Sequence, residues 1–182
     1  LYAEEIFVNE DHCLAYQTEE TFLLFIDSIV IGKTCEISIQ VDKKADHTRF
    51  TVSFPISSLD SGLDMRDDDV TEMLSFESNN YIRFVSDYLS IEQVRAALAH
   101  GKTKLGGMLE IAGKPYKVIF PLKFSEQSGT WLVTGKLVSS LSQFGLELPS
   151  VLGGLMADTR DHIKILVHLR FNIVQGQPEF NL

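Results

Sequence analysis

Strict alternation of apolar and polar residues is the feature that most constrains the fold of this chain. Near the C-terminal end, His168 and Arg170 fall between apolar side chains that recur at every second position, namely Ile163, Ile165, Val167, Leu169, Phe171 and Ile173. Side chains of a β-strand point alternately to its two faces, so this period buries one face and solvates the other. Shorter runs with the same period lie around residues 37–41, 50–56, 82–84, 109–111, 118–124 and 131–137.

Turn residues separate these runs and indicate the fold class. Asn79-Asn80, Ala112-Gly113 and Ser128-Gly129 are typical turn pairs. The segment "TFLLFIDSIVIG" (21–32) is apolar on both faces and predicts one well-covered strand. The chain has 182 residues, which fits a single domain over 1–182. Together these runs predict an all-β protein of about eight strands, an antiparallel barrel or sandwich.

Two segments have helical spacing instead. Val70, Met73 and Leu74 recur at i, i+3 and i+4, and Asp64 occupies the predicted N-cap position before an acidic first turn. The segment "SIEQVRAALAH" (90–100) predicts a second short helix that begins after Ser90. Residues 142–162 have no clear period, so they are predicted to form a long loop of the kind that often borders a ligand site.

The charge of the chain excludes several classes of partner. Its formal net charge is −9 and its pI is near 5.0. An acidic surface repels nucleic acid and is not attracted to anionic lipid, so neither partner is expected. No apolar run approaches the roughly 20 residues of a membrane-spanning helix, so no integral membrane span is expected. The opening "LYAEE" reads either as the tail of a signal peptide or as an arbitrary boundary.

The two cysteines, Cys13 and Cys35, do not form a CxxC pair, which leaves a zinc or redox motif unsupported. A disulfide between them would close a loop of about two dozen residues and stabilise the fold by about 3 kcal/mol in an oxidising compartment. The alternative is a pair of buried thiols.

Catalytic and metal motifs are absent from the sequence. The acids of "LDSGLDMRDDDVTEML" (59–74) are consecutive rather than alternate, and no glycine follows them, so they do not form an EF-hand loop. Nothing isolates two of them in an apolar pocket, as a glycosidase would require. The histidines form no metal-binding pair, and no nucleophile elbow or Walker loop occurs. The acids therefore indicate a turn and a charged helix start.

The order of these motifs resembles the YceI-like family of lipocalin-like, polyisoprenoid-binding bacterial proteins. "RFTVSFPISSLDSG", "MRDDDVTEMLSF" and "NNYIRFVS" follow that family's pattern at Ser58, Gly62, Arg66, Asp67, Leu74, Phe76 and Phe84. "GMLEIAGKPYKVIFPLKF" is similar to its hairpin, and "SQFGLEL" and "HIKILVHLRF" to its last segments. The resemblance covers about residues 21–173, and residues 88–104 read as an insertion in it.

The resemblance implies an eight-stranded antiparallel lipocalin-like barrel around an apolar tunnel. The implied function is binding, carriage or sequestration of a polyprenyl or quinone-like lipid by a periplasmic or secreted protein, with no catalysis, no metal and no cofactor besides that lipid. A homodimer is left open. Strand phase predicts the tunnel lining as Phe50, Val52, Phe54, Phe84, Leu109, Ile111, Val118, Phe120, Ile163, Ile165 and Val167.

Two other functions compete with lipid binding. A barrel with a packed centre would instead be an interaction or structural module that acts through its surface loops, chiefly 90–100 and 142–162. A hydrolase or isomerase would use the acids between Asp60 and Asp69.

Overall fold

The computed structural model describes residues 6–8, 11–22, 26–75, 79–147, 157–174 and 177–179. Two α-helices are present in this part of the chain, α1 (Asp64–Leu74) and α2 (Ile91–His100), with 3-10 turns at Ile56–Ser58 and Ser142–Phe144. The strands are β1 (Cys13–Phe22), β2 (Ile26–Thr34), β3 (Ser38–Lys44), β4 (His47–Pro55), β5 (Tyr81–Ser86), β6 (Leu89–Ser90), β7 (Lys102–Ile111), β8 (Lys114–Gln127), β9 (Thr130–Ser139), β10 (Ala157–Val174) and β11 (Gln177–Glu179).

These strands form one curled antiparallel sheet. Nine of them follow the order β2-β1-β10-β9-β8-β7-β5-β4-β3, while β6 pairs with β4 and β11 with β10. The long strand β10 lies between β1 and β9 in the sheet and pairs with both of them. The prediction of an all-β, antiparallel, barrel-like fold with two short helices is confirmed.

The number of strands differs from the predicted eight because the N-terminal region contains a hairpin. "TFLLFIDSIVIG" (21–32) is divided between the end of β1 and most of β2, which pair in register from Leu14↔Thr34 to Phe22↔Ile26. The sequence pattern did not predict most of β1, because its inward-facing positions become polar at Thr18 and Glu20. The very short strands β6 and β11 account for the rest of the difference.

The edge strands β2 and β3 do not pair with each other within the described ranges, and a short contact that we call the seam closes this side instead. The backbone N–H of Lys33 donates to the Asp60 carbonyl at 2.9 Å, and the Asp60 N–H donates back to the Lys33 carbonyl at 3.0 Å. The hydroxyls of Thr34 and Ser58 lie 2.6 Å apart, and Ser58 donates to the Pro55 carbonyl. The seam thus joins β2 to the segment that follows β4.

The inward faces of the strands form the main apolar core. Its most buried members include Ile56, Leu141, Phe144 and Phe171, each no more than 3% exposed. Phe144 contacts the ring of Tyr116 edge-on, so the 3-10 turn at Ser142–Phe144 packs against β8. The predicted loop over 142–162 is therefore partly ordered as a turn, and it ends earlier than predicted because β10 begins at Ala157; residues 148–156 lie outside the described residues.

A second, smaller apolar cluster covers the outer face of β1 and β10. Leu166 and Cys13 are each 1% exposed, and Phe7 stacks on the ring of the buried His168 at 5.1 Å. Cys13 and Cys35 are joined by a disulfide that ties the start of β1 to the end of β2. Of the two options left open by the sequence, the structure contains the disulfide.

Both helices occur where their spacing predicts them, but the predicted cap of α1 is wrong. Its N-cap is Leu63, which provides no side-chain hydrogen bond, and Asp64 is the first helical residue. Ser90 caps α2 as predicted, in a reciprocal capping box with Gln93. Gly101 ends α2 with a left-handed φ of 65°, a conformation that glycine adopts without strain.

Candidate functional site

The curled sheet surrounds a cavity of about 720 Å³. Its walls come from the inward positions of the strands, where alternation places apolar side chains on one face. Leu109, Phe120 and Leu122 are buried wall residues from the β7–β8 hairpin, and Val133 and Leu169 extend the wall across β9 and β10. A space of this size lies within the roughly 300–1,000 Å³ of small-molecule sites, and its largely apolar lining suits an apolar ligand.

Strand phase places most of the predicted lining residues on this wall. The structure brings nine of the eleven to the cavity: Val52, Phe54, Phe84, Leu109, Ile111, Phe120, Ile163, Ile165 and Val167. The other two lie elsewhere. Val118 is buried in the packed core beside the cavity, and Phe50, at the β6 end of β4, is half-buried and lies outside the cavity wall.

Helix α1 forms one further wall. Val70, Met73 and Leu74 face the cavity, which is the apolar stripe that their i, i+3, i+4 spacing predicts. No residue of α1 is fully buried, and its backbone lies closest to the 3-10 turn at Ile56–Ser58 rather than to a strand. The helix therefore covers the cavity without being embedded in the core.

The cavity opens where α1 faces β1 and β2. Met65 and Leu63 line it and are still 64% and 48% exposed, so solvent reaches the cavity at this point. The polar lining is concentrated at the same place. We call this region the mouth and define it by Tyr16, Glu20, Ser28, Leu63, Met65, Arg66 and Asp69.

Tyr16 is the most unusual residue of the mouth. It pairs with Gly32 across the β1–β2 hairpin, and a Cβ atom at Gly32 would collide with the tyrosine ring. The glycine thus leaves room for the ring to lie over β2. The hydroxyl oxygen is buried and lies beside the Ser61 hydroxyl. Burial, with the nearby Asp67 carboxylate, raises the pKa of Tyr16 to about 12, so the phenol stays protonated at neutral pH.

A small hydrogen-bond network fixes the segment that leads into α1. The Asp67 carboxylate accepts from the Ser61 backbone N–H at 3.1 Å and from the Ser61 hydroxyl at 2.6 Å. Arg66 donates to the same hydroxyl oxygen at 3.4 Å, and Asp60 accepts from the Gly62 N–H at 2.7 Å. These acids hold a turn and a helix start, the role that the sequence predicts for them.

Metal-ligating side chains do not cluster in the described part of the chain. No group of three or more His, Cys, Asp or Glu side chains is placed to hold a metal ion there. Asp60 and Asp67 each accept hydrogen bonds from the turn, and Asp64 and Asp68 are exposed. Among the described helices, none has the length and apolar character needed to cross a membrane.

Sequence reasoning missed much of the mouth and of the α1 wall. Tyr16, Thr18 and Glu20 face inward, but their mixed polarity gives no apolar phase by which to find them. Leu59 and Leu63 lie in an irregular segment without a period. Leu141 and Leu146 flank the Ser142–Phe144 turn, where the sequence predicts only loop. The in-phase spacing of Leu14 with Tyr16 was the signal available for β1.

An antiparallel sheet curled around an apolar cavity, with a helix beside a polar mouth, defines a lipocalin-like class of β-protein. Comparison with known families specifies the class further. The YceI-like domain model matches residues 17–171, and the chain belongs to this family.

Solved structures share the fold at low sequence identity. BcnA of Burkholderia cenocepacia aligns with a TM-score of 0.58 and 20% identity, over 85% of this chain and 95% of that one. A polyisoprenoid binding domain from Saccharophagus degradans, implicated in plant cell wall breakdown, aligns with a TM-score of 0.59 and 12% identity, over 87% and 93%. The YCEI protein of Campylobacter jejuni aligns with a TM-score of 0.55 and 15% identity, over 86% and 85%. No curated protein matches the chain.

Proposed function

We propose that this protein binds a hydrophobic isoprenoid-type lipid, a polyprenyl or quinone-like chain, inside its cavity and carries or sequesters it. The observation that carries the proposal is the apolar cavity of about 720 Å³ bounded by the inward strand faces and α1. The Saccharophagus degradans domain with the same fold is a polyisoprenoid binding domain, which supports an isoprenoid as the ligand class. The predicted lining residues on the wall are its proposed contacts.

Burial of the chain supplies the affinity. Each buried methylene contributes about 0.8 kcal/mol, so one five-carbon isoprene unit contributes roughly 4 kcal/mol before the costs of ordering the chain. We expect affinity to rise with chain length while units enter the cavity and to level off once it is full.

Native mass spectrometry of the purified protein, together with organic extraction, tests the proposal directly. We expect a bound lipid, or binding of added prenols of 10, 15 and 20 carbons with increasing affinity. Val52→Trp places an indole in the cavity and should weaken binding more than tenfold. Val138→Trp is its matched control, because Val138 is 53% exposed on the outside of β9. Equal binding by both folded variants, or no binding of any prenol, would contradict the proposal.

If the protein were instead an interaction module with a packed core, side chains would fill the centre of the sheet. That alternative does not explain the cavity. Its own test is deletion of residues 90–100, which should abolish binding of a partner protein while leaving lipid binding intact. We also propose that the acids between Asp60 and Asp69 have a structural rather than a catalytic role, since the described hydrogen bonds assign Asp60 and Asp67 to the turn before α1.

Periplasmic or secreted location is part of the proposal. Its support is the Cys13–Cys35 disulfide, because such bonds persist in oxidising compartments. Fractionation of the producing cells, with non-reducing gels of the protein, tests this. A homodimer stays a prediction, which sedimentation analysis with and without bound lipid would decide.

A further inference from the structure

We propose that the outer surface of strands β7 to β10 is a docking face for an anionic lipid bilayer. We call this surface the basic face and define it by its six lysines, namely Lys102, Lys104, Lys117, Lys123, Lys136 and Lys164. The inference concerns the surface to which the protein attaches, so it goes beyond the ligand proposed for the cavity.

Strand phase places these lysines on the outside of the sheet. Leu105 and Leu122 line the cavity, so the neighbouring Lys104 and Lys123 point away from it, and both are exposed. Lys164 likewise alternates with two cavity-lining isoleucines of β10. Strands lie about 4.8 Å apart and rise about 3.3 Å per residue, so the six lysines share an area of roughly 15 by 20 Å.

The negative net charge of the chain conceals this basic face. A charge of −9 predicts no attraction to anionic lipid, but it averages over the whole surface. None of the six lysines forms an ion pair with another residue in the described ranges. Two carboxylates lie at the β7 border: Glu110 pairs with Arg83 at 2.7 Å, and Asp87 covers Gly106. Six cations beside these acids leave a positive local field.

The stability of the sheet does not account for the lysines. Lys102 and Lys123 face each other directly in the β7–β8 ladder, where two like charges are destabilising. Lysines on edge strands protect a sheet from pairing with another one, but β7, β8, β9 and β10 each have a neighbour on both sides. The cluster therefore indicates an anionic partner.

Exposed apolar side chains among the lysines favour a bilayer over other polyanions. Met108 and Ile119 are 40% and 54% exposed, and Met108 lies opposite Lys117 in the β7–β8 ladder. At a bilayer surface, ammonium groups reach the phosphates while apolar side chains enter the boundary with the acyl chains. Nucleic acid offers phosphates without that apolar layer, and β7, β8 and β9 contain no arginine for paired hydrogen bonds to phosphate.

Vesicle flotation with the intact protein tests the proposal. We expect binding to phosphatidylcholine vesicles that contain phosphatidylglycerol, no binding to pure phosphatidylcholine, and loss of binding at high salt. Lys123→Gln/Lys136→Gln should weaken binding to the anionic vesicles roughly thirtyfold, since each lysine near such a surface contributes about a fivefold effect. Lys43→Gln/Lys44→Gln on the edge strand β3 is the control, because it removes the same charge from exposed positions outside the basic face.

The apolar contribution provides the second arm. Ile119→Ser should weaken binding to the anionic vesicles by about three- to tenfold, whereas Ile29→Ser, at a 42% exposed position of β2, should not change it. Prenol affinity should stay unchanged in all four variants, which shows that each is folded and separates docking from the proposed ligand binding.

Several results would overturn membrane docking. They are equal binding to both kinds of vesicle, no binding to the anionic ones, and equal losses in the two lysine pairs. Tighter binding of a DNA duplex than of anionic vesicles would assign the basic face to nucleic acid. Lysine-dependent self-association in sedimentation, without vesicle binding, would assign it to a second copy of the chain. None of these results would bear on lipid binding in the cavity.

Discussion

Loss of the Cys13–Cys35 disulfide should destabilise the protein by an amount that its position in the chain determines. The bond closes a loop with a sequence separation of 22 residues. In the chain-entropy treatment a loop of that length corresponds to about 3.4 kcal/mol at 25 °C, or a roughly 300-fold change in the unfolding equilibrium. The effect arises mainly in the unfolded chain, which gains conformational freedom once the loop is opened.

The double variant Cys13→Ala/Cys35→Ala is the suitable perturbation. Cys13 is 1% exposed and packs in the outer cluster, so serine there would bury an additional hydroxyl and alanine would not. Urea unfolding followed by tryptophan fluorescence, in the oxidised wild type and in the double variant, gives both free energies. We expect a lower midpoint and a somewhat larger m-value, because the opened unfolded chain exposes more surface.

Two results would refute this reasoning. A loss below about 1 kcal/mol would show that the β1–β2 hairpin already restricts the loop in the unfolded chain, so that the bond removes little entropy. If the double variant lost stability while chemical reduction left the stability of the wild type unchanged, the effect would come from the packing of Cys13 instead. Reduced wild type is therefore measured beside the variant as the control.

Three further predictions concern single residues. Tyr16→Phe should abolish a pH-dependent part of the stability. Since folding raises the pKa of Tyr16 from 10 to about 12, the wild type should lose roughly 2 kcal/mol relative to the variant as pH rises from 10 to 12, and parallel alkaline unfolding curves would contradict this. Burial lowers the pKa of His12, whose Nδ1 accepts from the Arg170 backbone N–H at 3.0 Å. The wild type should therefore lose stability relative to His12→Asn as pH falls below 6.5, and urea midpoints that shift equally in both proteins would refute this prediction. Leu166→Ala should lower the free energy of unfolding by about 2–5 kcal/mol in thermal unfolding, because Leu166 is 1% exposed. Prenol affinity should stay unchanged, since Leu166 lies on the outer face of β10, and Val138→Ala is the exposed control.

The sequence predicted the parts of the fold in which alternation and burial agree. β10 is the clearest example, because it alternates through Ile163, Ile165 and Val167 and the structure places all three on the cavity wall. The limit of that reasoning is visible at β8, where Val118 and Phe120 share a phase but only Phe120 reaches the cavity. Phase fixes which face a side chain occupies, while the position along the strand decides whether cavity or packed core lies in front of it.

The mouth could not have been predicted in the same way. Tyr16 and Glu20 point inward on β1, where the apolar alternation stops. Their proximity to Arg66 depends on how α1 lies across the sheet. Such contacts join residues some 50 positions apart through an irregular segment with no period. Their geometry follows from the turn that Ser61 and Asp67 hold, not from any local propensity.

The seam closes one side of the sheet with very few backbone hydrogen bonds. At the backbone level Lys33 and Asp60 exchange only two hydrogen bonds, whereas β1 and β2 pair along their whole length. Two such bonds contribute about 1–3 kcal/mol net, well below the free energy of global unfolding, so separation there is a frequent local event. Local opening of the sheet is therefore expected at the seam before β1 and β2 separate.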